Sequence, residues 1–166
     1  LWKAKKAKRI LFLVDRNILA DQTLVNDFKP FGSVMTKIRN RKIDPSYEVY
    51  LGLYQALTGP DEEDKIFKSV KRDFFDLIVI DEANAYKNVQ TKRWRLMRKL
   101  LTPKTGLWML TGTPAAQSPV DAFGLSRLVS PDRVPKYVTS FRDLVMHKVS
   151  QFRWVPKPDS ETTVFN

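Results

Sequence analysis

Three short apolar runs constrain this chain more than any other feature: Ile10–Val14, Leu77–Ile80 and Leu107–Leu110. None alternates polar with apolar residues, so none suits a strand with one wet face. Continuous runs of this length suit strands of a parallel sheet buried on both faces. Helical patterns lie between them. Over Thr91–Leu101 a stripe of Trp94, Met97 and Leu101 opposes Lys92, Arg93, Arg95, Arg98 and Lys99. Ile18–Phe28 has a helical apolar face ended by Pro30 and Gly32, and the acids of Asp61–Asp64 open a helix to about Val70. Ser118-Pro119-Val120-Asp121 is a capping box with proline at the first helical position, predicting a helix to about Val129; Ser140-Phe141-Arg142-Asp143 predicts another to about Val149. Ser33–Ile38 reads as a short strand and Val49–Leu57 as a strand entering a helical turn, closed by Thr58-Gly59-Pro60. Leu1–Arg9 reads as the last turns of a helix, and Phe152–Asn166, with Pro156 and Pro158, as an extended tail. Strands alternating with helices predict the α/β class: an open, mostly parallel sheet with helices on both faces.

A chain of 166 residues has the size of one ordinary domain. It has no cysteine, which excludes disulfides, thiolate zinc sites and a cysteine nucleophile. The single histidine, His147, excludes a histidine-based metal cluster and is read as a surface residue. No apolar run approaches the roughly 18 residues that span a bilayer, and no apolar segment of signal-peptide length follows the basic first nine residues. No membrane partner is expected. Charge is the positive signal. The net charge is +11, and it is unevenly spread: residues 1–83 hold 15 basic and 13 acidic residues, a net of +2, and residues 84–166 hold 14 and 5, a net of +9. Such an excess favours a polyanionic partner, above all nucleic acid.

In open parallel sheets ligands bind beyond the carboxyl ends of the strands. Here those ends read Asp15-Arg16, Asp81-Glu82 and Thr111-Gly112-Thr113. Paired acids after a buried strand suit nucleoside triphosphate hydrolysis: one carboxylate holds Mg²⁺ through water and the next orients and deprotonates the attacking water. The competing structural reading is a helix N-cap followed by a first-turn acid. Thr111 and Thr113 can hydrogen-bond those carboxylates or a phosphate; the competing reading is a simple turn. Trp94, Trp108 and Phe123 are read as core, and Lys5, Lys6 and Lys8 as a solvated face.

The order of these segments resembles the first motor domain of superfamily-two helicases and translocases. Ile78-Val79-Ile80-Asp81-Glu82-Ala83-Asn84 is similar to their Walker B motif, normally Asp-Glu-Ala-His. Leu110-Thr111-Gly112-Thr113-Pro114 is similar to their motif III, and Ile10–Asn17 with Leu19, Asp21 and Gln22 to motif Ia. Residues 1–82 resemble the motor subunit of type I restriction endonucleases, through Leu11–Gln22, Met35–Ile38, Arg41–Pro45, Tyr47–Gly59 and Asp76–Glu82. Residues 81–166 resemble phage helicases of the Swi/Snf type, through Asp81–Asn88, Lys92-Arg93-Trp94, Thr111–Pro119 and Phe152–Pro156. Asn84 stands in place of the family's histidine and Ala116 in place of a usual glutamine.

The resemblance implies a RecA-like fold of the P-loop NTPase type over residues 1–150, with 151–166 leading toward a second RecA-like domain. It implies ATP and Mg²⁺ as cofactors, double-stranded DNA as partner, and a bacterial or phage-infected cytoplasm. Asp81 would hold the metal through water, Glu82 would be the base, and Thr111 and Thr113 would join them at the nucleotide. Arg16, Asn17, Gln22, Tyr54, Gln55, Thr58 and Gly59 would contact DNA. No Gly-x-x-x-x-Gly-Lys-Ser/Thr occurs in the sequence. The fold is therefore expected to be N-terminally truncated, with weak nucleotide binding, negligible hydrolysis, and a sheet edge open to self-association. Three readings stay open at this point: a motor-domain fragment, a non-catalytic module that binds DNA or protein, and a recombined chain with no selected activity.

Overall fold

The computed structural model describes residues 1–15, 28–39, 42–54, 70–115 and 117–165. Five strands form one sheet: β1 (Ile10–Val14), β2 (Met35–Lys37), β3 (Val49–Leu53), β4 (Leu77–Ile80) and β5 (Gly106–Met109). Their order is β2-β3-β1-β4-β5 and every pairing is parallel. Val14 pairs with Leu53, Leu13 with Ile80, and Ile80 with Met109, so the carboxyl ends of four strands reach one edge together.

The continuous apolar runs are explained by burial on both faces. Leu11, Leu13, Ile78 and Ile80 point to one face and are 0% exposed. There they pack with Tyr50, with Met97 and Leu100 of α1 (Lys92–Leu100), and with Leu125 and Leu128 of α2 (Phe123–Val129). On the other face Val14 and Leu51 are buried beside Phe12, Met35 and Leu53, and Leu77 and Val79 beside Ala7. Each fully buried aliphatic side chain contributes about 1.5–3 kcal/mol, against a net stability of about 5–15 kcal/mol for a whole domain. The four central residues alone therefore match the net stability in size.

Several expectations change. Among the described residues β5 is an edge strand with β4 as its one neighbour; Leu107 and Met109 pack inward while Trp108 is 52% exposed. Leu1–Arg9 forms turns, because Lys5 takes φ 53°, a left-handed conformation incompatible with a continuing helix. The capping box at Ser118 forms as predicted, with Asp121 accepting from the Ser118 amide; the first turn, Pro119–Ala122, is a 3₁₀ turn running into α2. Ser140 opens nothing: it lies inside α3 (Val138–Val145). That helix stops at Val145 because Met146–Lys148 (β6) pairs antiparallel with Trp154–Pro156 (β7). The tail is extended over β7 and then forms a last helix, α4 (Ser160–Phe165), which was not expected. Trp154 and Val164 supply the reason, packing on a second cluster of Phe123, Phe141, Val145 and Met146. The helices predicted over Ile18–Phe28 and from Asp61 to about Val70 lie outside the described residues except for Phe28 and Val70 themselves. No described helix is long and apolar enough to cross a membrane.

Candidate functional site

The shared strand edge places Asp15, Tyr54, Asp81-Glu82 and Leu110-Thr111 in neighbouring positions. The acidic turn after β4 is held through its backbone. The Asp81 amide donates to the Leu13 carbonyl at 2.9 Å, and the Ala83 amide to the Leu110 carbonyl at 2.9 Å. Glu82 takes φ 54°, ψ 54°, a left-handed conformation that turns the chain sharply into the 3₁₀ turn Ala83–Tyr86. Its side chain is exposed, and that of Asp81 half-buried.

The threonines do not bond the carboxylates. They bond Asn84. Thr111 Oγ1 donates to Asn84 Oδ1 at 2.9 Å, Asn84 Nδ2 donates to Thr113 Oγ1 at 3.3 Å, and the Thr113 amide donates to Thr111 Oγ1 at 3.2 Å. The three bonds close a ring between the turns after β4 and β5. An amide suits the position because it accepts and donates at once. The sequence marks Asn84 only as a departure from a histidine; its role emerges because β4 and β5 are adjacent.

Tyr54, expected at a DNA contact, is 0% exposed. Its hydroxyl donates to the Asp81 carbonyl from below, and its ring meets Tyr86 edge-on at 5.4 Å. The Arg93 guanidinium lies 4.9 Å over the Tyr54 ring and 5.9 Å from that of Tyr86. Burial pushes the Tyr54 phenol well above its ordinary pKa; Tyr86, Asp15 and Asp81 add to the rise, and Arg93 opposes it. Tyr54 is therefore a neutral support beneath the acidic turn. Arg16, Asn17, Gln22, Gln55, Thr58 and Gly59 lie outside the described residues. Beside Thr111, a cavity of about 440 Å³ opens between β5 and the carboxyl-terminal helices, lined by Met109, Leu125, Val129 and Phe141 among others.

Residues 1–116 match the family described as the type III restriction enzyme, res subunit (ResIII). The chain belongs to this family. This ResIII chain is also 53% identical over 127 residues to an Escherichia coli protein, the type I restriction enzyme EcoAI endonuclease subunit. That match covers 75% of the chain and 16% of the relative, so the chain spans about a sixth of the relative's length. A 127-residue match passes residue 82 wherever it begins, so the likeness to type I subunits continues beyond the acidic turn. Among solved structures, the Sulfolobus solfataricus SWI2/SNF2 ATPase core in complex with dsDNA superposes with a TM-score of 0.63 at 23% identity, covering 85% of this chain and 29% of that one. At that identity the likeness establishes the fold alone: the same parallel α/β sheet architecture.

Proposed function

We propose that this ResIII chain carries the metal-binding and water-activating part of an ATP site in the first motor domain of a DNA translocase. The observation that carries the reading is the Asn84 ring, which ties the acidic turn to the threonine turn across adjacent parallel strands. In this reading Asp81-Glu82 is the Walker B pair and Thr111–Thr113 belongs to motif III. Coupling requires such a link: a change at one turn must move the other.

The donor set fits a magnesium ion held mostly by water and phosphate. Among the described residues no three acidic or histidine side chains converge, so the protein offers one or two carboxylates, with Asp81 the proposed ligand. Mg²⁺ retains several waters and takes one or two carboxylates in such sites. When bound, the ion would neutralise charge developing on the phosphates. Glu82, exposed on its left-handed turn, would accept the proton of the attacking water. Tyr54 and the Asn84 ring would hold both turns in place. The sequence contains no phosphate-cradling glycine loop and lysine, so the reading requires that element, and a second RecA-like domain, from elsewhere in the assembled motor. The open edge of β5 is where a further strand, or a second copy of the chain, would pair.

Double-stranded DNA is the proposed partner. The Sulfolobus core was solved on duplex DNA, and the carboxyl-terminal half of this chain carries nine net positive charges. The test is fluorescence anisotropy on a labelled duplex, titrated with salt, with and without Mg-ATP. The expected result is a linear fall of log affinity with log salt that ATP does not alter, together with ATP turnover at background. No binding at low salt would overturn the DNA reading. ATP hydrolysis that Glu82→Gln abolishes would overturn the need for an outside phosphate loop, and binding without any such turnover in the assembled motor would favour the non-catalytic module.

A further inference from the structure

We infer that the tip of the β6–β7 hairpin is a stacking finger for an unpaired nucleobase. The inference rests on the DNA reading above and adds a contact that reading does not contain. Phe152 sits at the tip and is 90% exposed, the largest exposure among the large hydrophobic residues described. The turn is tight: the Arg153 amide donates to the Ser150 carbonyl at 3.4 Å, and the Val149 amide to the Arg153 carbonyl at 2.9 Å. Phe152 occupies position three of this turn without a left-handed conformation, so the backbone places no special demand on the residue there. A phenylalanine there gives the fold no burial. Its aromatic face is therefore free for something outside the chain.

The base of the hairpin is rigid, which a positioning finger needs. Met146 is buried, and its sulfur meets Ser118 Oγ at 3.9 Å, close in sequence to the threonine turn. Trp154 is stacked under the Arg142 guanidinium at 4.4 Å. The Lys157 amide donates to the Val145 carbonyl at 3.0 Å, and its Nζ to the Asp143 carbonyl at 2.8 Å. Residues 147–153 are exposed, Phe152 most of all.

Charge selects the partner. Lys148, Arg153 and Lys157 lie along the hairpin, and no acidic residue occurs between Asp143 and Asp159. One aromatic face between cations is the chemistry of single-stranded nucleic acid binding: cations meet phosphates and the ring stacks on a base. Wedging into intact duplex would require unstacking a base step, whereas a frayed or single-stranded base is already free.

The experiment compares the 166-residue chain with its Phe152→Ala and Phe152→Trp variants by fluorescence anisotropy. Three labelled DNAs are used: a blunt duplex, the duplex with a thymidine overhang, and the duplex with an abasic overhang of equal length. The wild type is expected to bind the thymidine overhang about 5- to 150-fold more tightly than the abasic one. Phe152→Ala should lose that preference, Phe152→Trp should keep it, and all three proteins should bind the blunt duplex alike. An exposed tip residue leaves the melting temperature unchanged, so folding does not confound the result. Blunt-duplex binding with no loss of preference in Phe152→Ala overturns the finger alone and leaves the tip to a protein partner. No binding to any DNA overturns the finger and the DNA reading together.

Discussion

Replacing Gly124 by alanine sets two rules against each other. Gly124 is the second residue of α2, and alanine is the better helix former by up to about 1 kcal/mol. Propensity therefore predicts stabilisation. Packing predicts the reverse: a Cβ at Gly124 would lie 1.9 Å from the Lys87 carbonyl oxygen, 2.5 Å from its carbon and 2.7 Å from the Tyr86 oxygen. All three are backbone atoms, so no side chain can swing aside. Restoring ordinary contact needs a shift of well over an ångström between α2 and the turn after Glu82. The Gly124 carbonyl also accepts from Trp94 Nε1 at 2.8 Å, so the shift strains a second contact. Overpacking costs about 1–3 kcal/mol where side chains yield and more where they cannot. We expect a net loss of about 2–4 kcal/mol, a fall in melting temperature of about 4–16 °C for a domain of this size. Gly112 is the control, because a Cβ there meets nothing within 4 Å and Gly112→Ala should be neutral. Urea unfolding of both variants decides the matter. Gly124→Ala at or above wild-type stability would refute the close approach of α2 to this turn.

Four further outcomes follow from the site. Tyr54→Phe removes the hydroxyl donated to the Asp81 carbonyl and should cost about 0.5–1.5 kcal/mol in thermal unfolding; duplex affinity should stay within twofold, and a larger loss would make Tyr54 a DNA contact after all. Asn84→Ala opens the ring to both threonines, at about 1 kcal/mol for half-exposed bonds, and should speed amide exchange at Thr113; Asn84→His, which can both accept and donate, should restore protection. Glu82→Gly relieves the left-handed backbone at φ 54° and should stabilise by about 0.5–1 kcal/mol, whereas Glu82→Gln, still strained, should be neutral; equal effects in denaturant melts would contradict that conformation. Burial raises the Tyr50 phenol to about 12, and raises Tyr54 and Tyr86 as well. A raised folded pKa means stability is intact below the unfolded value near 10 and is lost as pH climbs toward 12. Phenolate absorbance should therefore rise with the loss of far-ultraviolet dichroism; full titration of the tyrosines near pH 10 in a folded chain would refute the burial.

The centre of the fold was legible because its strands announce themselves locally. Ile10–Val14 and Leu77–Ile80 are apolar at every position, and burial on both faces is the arrangement that favours such runs. The capping box at Ser118 was legible for the same reason, since all its partners lie within three residues. What failed depended on distant pairing. Leu107–Met109 looks like the other runs, yet Trp108 is exposed, and among the described residues β5 has a single neighbour, a property of strand order and not of composition. The end of α3 at Val145 is set by pairing of Met146 with Pro156, ten residues away in sequence. Tyr54 was expected at a DNA contact through the family resemblance of its segment, which says nothing of burial. Its burial follows from Asp81 and Tyr86, roughly thirty residues downstream. The Asn84 ring spans 27 and 29 residues, so no local pattern could reveal it.

The acidic turn shows what this local order is for. Everything that holds it is neutral: two backbone amides, a phenol that stays protonated, and an amide ring. No ion pair to either carboxylate forms among the described residues, although Arg93 lies over the Tyr54 ring just beneath. Stability alone favours another arrangement. A glycine at Glu82 would remove the cost of a left-handed conformation, about 1–2 kcal/mol, and a cation beside the pair would offset the repulsion between adjacent carboxylates. The chain instead keeps a strained glutamate with its carboxylate in solvent and stacks Arg93 on aromatic rings. Under the proposed function, this strain at a polar strand end, with the compensating charge withheld, belongs to a group kept for a ligand. In the proposed site the metal ion that accompanies a phosphate would supply that missing positive charge, and the neutral scaffold would leave the carboxylates free to meet it.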